Sequence, residues 1–283
     1  MIKELFNKEK SFFFMTPALV WQVVFFMLPL LFVLQLAFFS KLFQNFTLDY
    51  IEQVFSFPHF LVIFRSLKLA SVTAVLCLLI GYPVAYFLAL YVEERYKSLL
   101  LFLIMLPFLT NILVQIYAWY FILEKKGVLN KFLLFFFSID PGNWLNTSIA
   151  MYVVMFHIYL PFMIMPLYTI LEKMNVRLIE ASLDLGASYI QTFFRVVLPL
   201  SLQGIKTGFF LVYVTTFGEY VIPSLLGGQK HFFVGTLISE YFFIGRDWHV
   251  GAAFTCLSIT VFVLSILFYS KLLQRLVLRL QRI

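Results

Sequence analysis

The stretch N-V-R-L-I-E-A-S-L-D-L-G-A-S-Y-I-Q-T-F-F-R-V-V-L-P-L-S-L-Q, from Asn175 to Gln203, is a polar connection between two strongly apolar segments. Its apolar residues recur three and four positions apart on both sides of Gly186, which is the spacing of one helix face. A glycine there suits a helix end that needs a positive φ angle. Ser188 and Gln191 have the spacing of a capping box. The stretch therefore predicts two short helices joined at a glycine, which we call the elbow.

The residues alone leave two interpretations of the elbow open. Asn175 can cap the first helix, and Pro199 should end or bend the second. Arg177, Glu180 and Asp184 form a charged face on the first helix. Such a structure could dock onto a partner protein, or its apolar residues could rest on the bilayer surface.

The composition places the chain in a membrane. Of its 283 residues, 62% are hydrophobic and only 12% are charged, whereas soluble domains carry about a quarter charged residues. The net charge of +7 is then typical of cytoplasmic loops and anionic headgroups, and we expect no nucleic-acid partner. Cys77 and Cys256 lie inside apolar runs, so neither a disulfide framework nor a metal site is expected.

Six apolar segments predict an all-α polytopic membrane protein with six transmembrane helices, forming a single transmembrane domain over residues 1–283. The predicted spans cover about residues 12–39, 67–91, 99–123, 148–171, 205–226 and 250–268. Of the 21 Lys and Arg residues, 13 fall in the segments that are cytoplasmic if the N-terminus is inside, and the other 8 fall outside. The positive-inside rule therefore predicts cytoplasmic N- and C-termini and a cytoplasmic elbow.

The third predicted span and the loop after it contain two further features. Asn111, Gln115 and Trp119 are four residues apart, so they should line one face of a helix. That face could border a transport path, a partner subunit or neighbouring helices through interhelical hydrogen bonds. In the following loop, the apolar patch from Phe132 to Phe137 is too short to span the bilayer and is expected at its surface.

Two titratable residues lie within predicted spans. Glu219, followed by Tyr220, carries a carboxylate whose insertion costs about 2.5–3.5 kcal/mol at the bilayer centre. It could line a translocation path and attract a cationic solute. Alternatively, it could be a structural carboxylate near the outer end of the span, since Pro223 indicates that the span ends there. His157 could likewise serve the path, or it could be a neutral histidine packed between helices.

Motifs for nucleotide binding and catalysis are missing from the sequence. No G-x-x-x-x-G-K-[ST] loop is present, so this chain has no such means of holding ATP phosphates. H-E-x-x-H, G-x-S-x-G and clusters of Cys and His are also absent. We therefore expect a protein that is not an enzyme, and any ATP-driven process would need a site on another subunit.

The elbow resembles the EAA motif of permease subunits in bacterial ABC importers. That motif is E-A-A, three residues, G, nine residues and I-x-L-P, and here the same spacing joins Glu180-Ala181-Ser182, Gly186 and Val196-x-Leu198-Pro199. Ser182 replaces the second alanine and Val196 replaces isoleucine. In that family the elbow is a coupling helix that sits in a cleft of the ATPase subunit.

Further segments resemble the spermidine/putrescine permease family, in particular its B-type subunit, from about residue 46 to about residue 268. Gln115 stands where the resemblance leads us to expect arginine. The segments that carry the similarity are Gly81-Tyr82-Pro83-Val84-Ala85-Tyr86, Leu106-Pro107-Phe108 with Thr110-Asn111, Leu160-Pro161-Phe162 with Met165-Pro166-Leu167-Tyr168, Asp184-Leu185-Gly186-Ala187-Ser188, Gly218-Glu219-Tyr220-Val221-Ile222-Pro223 and Arg246-Asp247-Trp248.

The resemblance implies a type I ABC importer permease fold in the bacterial inner membrane and the import of polyamines. It also implies a homologous permease as partner, two ATPase subunits that hold ATP and Mg²⁺, and a periplasmic or lipoprotein substrate-binding protein, with no cofactor in this chain. The residues it assigns to ATPase coupling are Glu180, Ala181, Ser182, Asp184, Gly186, Ala187 and Ser188. The candidates for the substrate path are Glu219, Tyr220, Asn111, Gln115, Trp119 and His157. The same machine with another solute, or an ion-coupled secondary transporter, is the alternative.

Overall fold

A computed structural model describes residues 2–40, 45–137, 142–228 and 232–280, and it is almost entirely helical. Two strands of two residues each, β1 (Phe39–Ser40) and β2 (Asn45–Phe46), pair antiparallel with Phe39 opposite Phe46. Apart from this short ladder, the prediction of an all-α chain is confirmed.

α-Helices make up most of the described ranges, as expected where apolar surroundings require each backbone group to bond within its own segment. They are α1 (Ile2–Phe38), α2 (Asp49–Val54), α3 (Phe57–Leu90), α4 (Glu94–Met105), α5 (Ile112–Leu123), α6 (Val128–Phe137), α7 (Ser148–Glu172), α8 (Arg177–Asp184), α9 (Tyr189–Thr192), α10 (Leu198–Leu200), α11 (Leu202–Phe217), α12 (Val221–Leu226), α13 (Val234–Ser239) and α14 (Trp248–Leu280). A 3₁₀-helix covers Pro107–Leu109, and π-helical turns cover Phe193–Val197 and Glu240–Ile244.

Within these ranges, four helices are long and apolar enough to cross a membrane: Met15–Phe38, Phe57–Leu90, Ser148–Glu172 and Trp248–Arg275. They match the first, second, fourth and sixth predicted spans. A fifth crossing is possible if Tyr189–Leu200 and Leu202–Phe217, which meet at an angle of 65°, act as one bent span. The count of six spans stays a prediction.

The third predicted span is not one continuous helix. The chain forms α4, then the 3₁₀ turn that begins at Pro107, then α5. Thr110 is extended, with ψ at 158°, and the Asn111 side chain accepts a hydrogen bond from the Leu113 N–H at 2.8 Å. Asn111 is therefore the N-cap that starts α5. The prediction that Asn111, Gln115 and Trp119 line one continuous face of a spanning helix is wrong, because only Gln115 and Trp119 lie within α5.

The fifth predicted span is also interrupted. Helix α11 ends at Phe217, and Gly218 has non-helical backbone angles. Helix α12 starts at Val221 and contains Pro223. The three residues 218–220 between these helices form what we call the 218–220 break. It contains the carboxylate that sequence analysis singled out.

The Cα atoms group into two compact units, one of Met1–Phe60 with Ile238–Thr260 and one of Leu61–Leu237 with Val261–Ile283. In the first unit, Nδ1 of His249 donates to the Leu36 carbonyl at 2.8 Å, and the His249 ring stacks on Tyr50 with ring centroids 4.8 Å apart. One hydrogen bond and one aromatic stack of His249 thus connect the start of α14 to α1 and α2.

The second unit is built on the contact between α7 and α11. Gly204 and Gly208 are four residues apart on α11, which is the small-residue spacing that lets two helices approach closely. A Cβ at Gly208 would lie 2.8 Å from Sδ of Met163 and 3.0 Å from its carbonyl oxygen, and a Cβ at Gly204 would lie 3.1 Å from the Pro166 carbonyl oxygen. The two backbones are therefore too close to admit a methyl group.

Replacing Gly208 with alanine should destabilise the second unit by about 1–3 kcal/mol, because the added methyl group overpacks the contact with Met163. The measurement is thermal unfolding of the purified protein in detergent. Gly245→Ala is the control, since a Cβ there would meet its nearest atom, the Glu240 carbonyl oxygen, at an ordinary 3.6 Å. Equal melting temperatures for the two variants would contradict the close approach.

Candidate coupling elbow and transport-path residues

The first half of the elbow has the predicted caps. The Asn175 side chain accepts from the Arg177 N–H at 3.1 Å at the start of α8. After α8, Gly186 has φ at +86°, and its N–H donates to the Leu183 carbonyl at 2.8 Å. The positive φ of Gly186 ends the helix and lets its N–H bond to a carbonyl that would otherwise lack a partner. Asn175 and Gly186 thus have the local roles that the sequence predicts.

The second half begins with a complete capping box. The Ser188 hydroxyl accepts from the Gln191 N–H at 3.3 Å, and the Gln191 side-chain oxygen accepts from the Ser188 N–H at 3.0 Å. The two bonds satisfy N–H groups that the first turn of a helix leaves free. The predicted restart of the chain at Ser188 is confirmed.

A side-chain hydrogen bond connects the two helices of the elbow. The hydroxyls of Ser182 on α8 and Thr192 on α9 lie 3.0 Å apart, and Thr192 is only 2% exposed. An alanine at position 182, as in the EAA motif, could not make this bond. Ser182 therefore adds a link between the two elbow helices that the sequence pattern did not indicate.

The outer surface of the elbow is apolar and rimmed by charge. Leu185, Tyr189 and Ile190 are 88%, 77% and 71% exposed, and the carboxylates of Glu180 and Asp184 are exposed beside them. Exposed apolar side chains close in sequence to exposed charged ones are typical of an interaction site.

The inner side of the elbow is tied to α3. The Phe193 ring packs edge-on against Tyr82, with ring centroids 5.6 Å apart, and against Tyr86. The hydroxyls of Tyr82 and Ser201 are hydrogen-bonded at 2.8 Å and buried. Ser201 lies at the 65° bend before α11, and Pro199 immediately precedes that bend, as predicted. Displacement of the elbow would therefore act directly on α3.

The carboxylate of Glu219 is bound on both oxygens. Its Oε1 accepts from the N–H groups of Val221 at 2.9 Å and Tyr220 at 3.2 Å, and its Oε2 accepts from the Tyr159 hydroxyl. Glu219 therefore caps α12 across the 218–220 break and links that break to α7. Its side chain is half-buried, and Tyr220 beside it is 46% exposed.

Comparison with known proteins identifies the family of this chain. Residues 81–282 match the family described as binding-protein-dependent transport system inner membrane component. The chain belongs to that family. It is the membrane permease subunit of an ABC importer, and the family is not itself catalytic.

Individual relatives agree with this assignment. The permease is 38% identical over 264 residues to the spermidine/putrescine transport system permease protein PotB of Haemophilus influenzae, across 90% of this chain and 92% of that protein. It superposes on a bacterial ABC transporter involved in the import of alginate with a TM-score of 0.73 at 17% identity, covering 96% and 99% of the two chains. A second structure, of a bacterial alginate ABC transporter in complex with an alginate-bound periplasmic protein, gives 0.67, again at 17% identity, with 98% of each chain covered. At that identity the structures show the fold alone.

The remaining path candidates fall into separate groups in the permease. The rings of Trp119 on α5 and His157 on α7 pack edge to face with centroids 5.4 Å apart. Gln115 donates from Nε2 to the Pro107 carbonyl and, at 2.8 Å, to the Thr110 hydroxyl. The polar atoms of Gln115 and Asn111 thus bond within their own segment, and these bonds are not the interhelical ones that sequence analysis considered.

Three residues of the site were not identified as functional from the sequence. Tyr159, Thr192 and Tyr82 each place a hydroxyl among apolar neighbours, where it needs a partner. That need is visible in the sequence, but the partners Glu219, Ser182 and Ser201 are not, because each lies at least ten residues away along the chain.

Replacing Glu219 with leucine should cost about 1–3 kcal/mol of stability, because the N–H groups of Tyr220 and Val221 and the Tyr159 hydroxyl lose their acceptor. Glu219→Gln should cost less, since its amide oxygen can still accept from the α12 backbone. Thermal unfolding of the purified permease compares the two. Equal losses would show that the carboxylate does not stabilise the 218–220 break through these bonds.

Proposed function

We propose that this permease forms half of the translocation path of a polyamine importer, with spermidine or putrescine as cargo. The observation that carries the proposal is the 38% identity to a spermidine/putrescine permease over nine-tenths of the chain. The carboxylate of Glu219 supports it, because a half-buried anion at a helix break can attract a cationic solute.

The elbow is the proposed contact with the ATPase. Its exposed apolar residues supply the area that a cleft can bury, and Glu180 and Asp184 supply charges at its edge. In this proposal, a homologous permease completes the path and two separate ATPase subunits hold ATP and Mg²⁺. A periplasmic or lipoprotein binding protein delivers the solute. The whole chain works as one permease domain with both termini in the cytoplasm.

The proposed cycle starts at the elbow. When the ATPase subunits close on ATP, they shift the segment from Glu180 to Ser188, and the linked residues Phe193, Tyr82 and Ser201 pass this displacement to α3 and α11. The spans then alternate between inward-open and outward-open states. Gly186 is the proposed pivot, since its φ is one that residues with a Cβ rarely adopt.

The structural evidence for a place on the translocation path differs among the candidate residues. Glu219 and Tyr220 lie at a break in the helix, and both side chains are partly exposed. Trp119 and His157 form an aromatic pair that can border the path. Asn111 and Gln115 have their polar groups engaged locally, so they would contribute through the shape of the α4–α5 connection.

Gly186→Val should lower ATP-driven uptake in proteoliposomes at least severalfold, because a β-branched residue pays about 1–2 kcal/mol or more in the left-handed region. Gly186→Asn is the matched control. A Cβ at this position meets no atom within 4 Å, and asparagine tolerates this backbone conformation. We expect the asparagine variant to retain most of the activity.

Membrane insertion of both Gly186 variants should equal that of the wild-type permease, and the loss in Gly186→Val should appear in both uptake and stimulated ATP hydrolysis. Normal uptake and ATPase stimulation in Gly186→Val would remove Gly186 as the pivot.

Glu219→Gln should raise the KM for spermidine uptake by about tenfold, which corresponds to about 1.4 kcal/mol, within the range for a hydrogen bond to a charged group. It should leave ATPase stimulation through the elbow intact. Uptake of radiolabelled spermidine and putrescine by the reconstituted importer is the measurement.

An unchanged KM with normal assembly would limit Glu219 to its structural role at α12. Failure of the wild-type importer to take up either polyamine, together with uptake of another solute, would move the proposal to a different cargo on the same machine.

A further inference from the structure

Helix α6 is fixed in the loop between α5 and α7 by one buried side chain. Asn130 is 2% exposed. Its Oδ1 accepts from Nε1 of Trp144 at 2.9 Å and from the Gly142 N–H at 3.2 Å. Its Nδ2 donates to the carbonyls of Gly142 at 2.9 Å, Lys125 at 3.1 Å and Glu124 at 3.3 Å. Two accepted bonds, and two N–H groups shared among three carbonyls, therefore set the rotation of α6 about its own axis.

That rotation turns an apolar surface away from the packed unit. The helix has 10 residues, which is about 15 Å and too short to cross a bilayer. We call its exposed arc the α6 face; its members are Phe135 at 81%, Val128 at 68%, Phe136 at 63%, and Phe132 and Leu134 at 51% each. Three phenylalanines this exposed at one helix surface are typical of an interaction surface.

The position of Lys131 distinguishes the possible covers. At 100° per residue, Lys131 lies on the α6 face between Leu134 and Phe135. In the described residues, no carboxylate lies within ion-pair distance of Lys131. A protein partner that covered the face would have to supply a carboxylate to this ammonium group, since burying the charge without a counter-charge is costly. A bilayer surface would not, because the lysine stem can lie along the acyl chains while its ammonium group reaches the phosphates.

The surrounding charge and chain position agree with a lipid cover. Lys125 and Lys126 precede α6 and are exposed, and in the described part of this loop Glu124 is the single acidic residue beside three lysines. Only ten residues separate α6 from α7, which is a candidate membrane span that starts at Ser148. An aromatic helix with flanking lysines next to a span is typical of an interfacial helix.

We propose that α6 is an interfacial lipid anchor. Its phenylalanines insert at the boundary between headgroups and acyl chains of the phospholipid bilayer, and Lys125, Lys126 and Lys131 contact anionic headgroup phosphates. Through the Asn130 bonds, this anchor holds the ends of α5 and α7 at a fixed depth. The proposal does not depend on the cargo of the importer or on which side of the membrane the loop occupies.

The test places a fluorescent probe on the α6 face of the full chain, purified with the subunits that accompany it, in nanodiscs of phosphatidylcholine and phosphatidylglycerol. Cys77 and Cys256 are first replaced by alanine, and Phe135→Cys is labelled with an environment-sensitive dye. We expect strong quenching by lipids spin-labelled near the headgroup and at least threefold weaker quenching by aqueous iodide than at Glu52→Cys. Glu52 is an exposed residue of α2 and serves as the water-facing control.

Two outcomes would overturn the anchor. A Phe135 probe as open to iodide as the Glu52 probe would mean that the face lies in water. Protection from both iodide and spin-labelled lipid would mean that a protein subunit covers it. The same probe at Phe136 guards against a local effect of the Phe135 substitution.

The headgroup contact is tested by replacing Lys125, Lys126 and Lys131 with glutamine. In the unmodified loop, lipid quenching should rise with the fraction of phosphatidylglycerol, and the triple variant should lose at least half of that dependence. The same dependence in both proteins would overturn the role of the lysines. None of these readouts measures transport, so their failure is distinct from a failure of the polyamine proposal.

Discussion

Each interruption of a helix in this permease leaves backbone N–H groups without a partner inside the helix, and at several helix starts a side chain accepts from them. Asn111 does so where α5 begins, Thr147 at the start of α7, Ser188 in the elbow and Glu219 at α12. The positions of the breaks, and hence of the candidate site, depend on these caps. The same constraint explains why a carboxylate can be retained within an apolar segment.

Local sequence patterns predicted the elbow because its structure is local. Capping boxes and glycine helix ends are contacts between residues at most five positions apart, so Ser188, Gln191 and Gly186 could be read directly from their spacing. The long apolar runs of α1, α3, α7 and α14 were equally clear. The division of the third predicted span was not predicted, because apolar composition alone does not reveal a helix cap. The apolar run was long enough to span the bilayer, although it contained both Pro107 and Asn111.

Contacts of the site that join residues far apart in the chain could not be predicted from local sequence patterns. The glycine pair of α11 is recognisable as a packing motif, yet nothing in its spacing identifies Met163 and Pro166 as its neighbours. Tyr159 and Glu219 are 60 residues apart, and only the pairing of α7 with α11 brings them together. Pairing of distant helices follows from the whole fold, which the family resemblance implied and the spacing of single residues did not.

The close contact of α7 with α11 also limits what the elbow can do mechanically. The elbow leaves the end of α7 and enters the start of α11, and the backbones of these helices are in contact at Gly204 and Gly208. Tyr159 on α7 also bonds to Glu219, two residues beyond the end of α11. Both ends of the elbow thus join helices that are packed against each other. A force applied at the elbow would therefore act as a torque on this pair and tilt the two helices together.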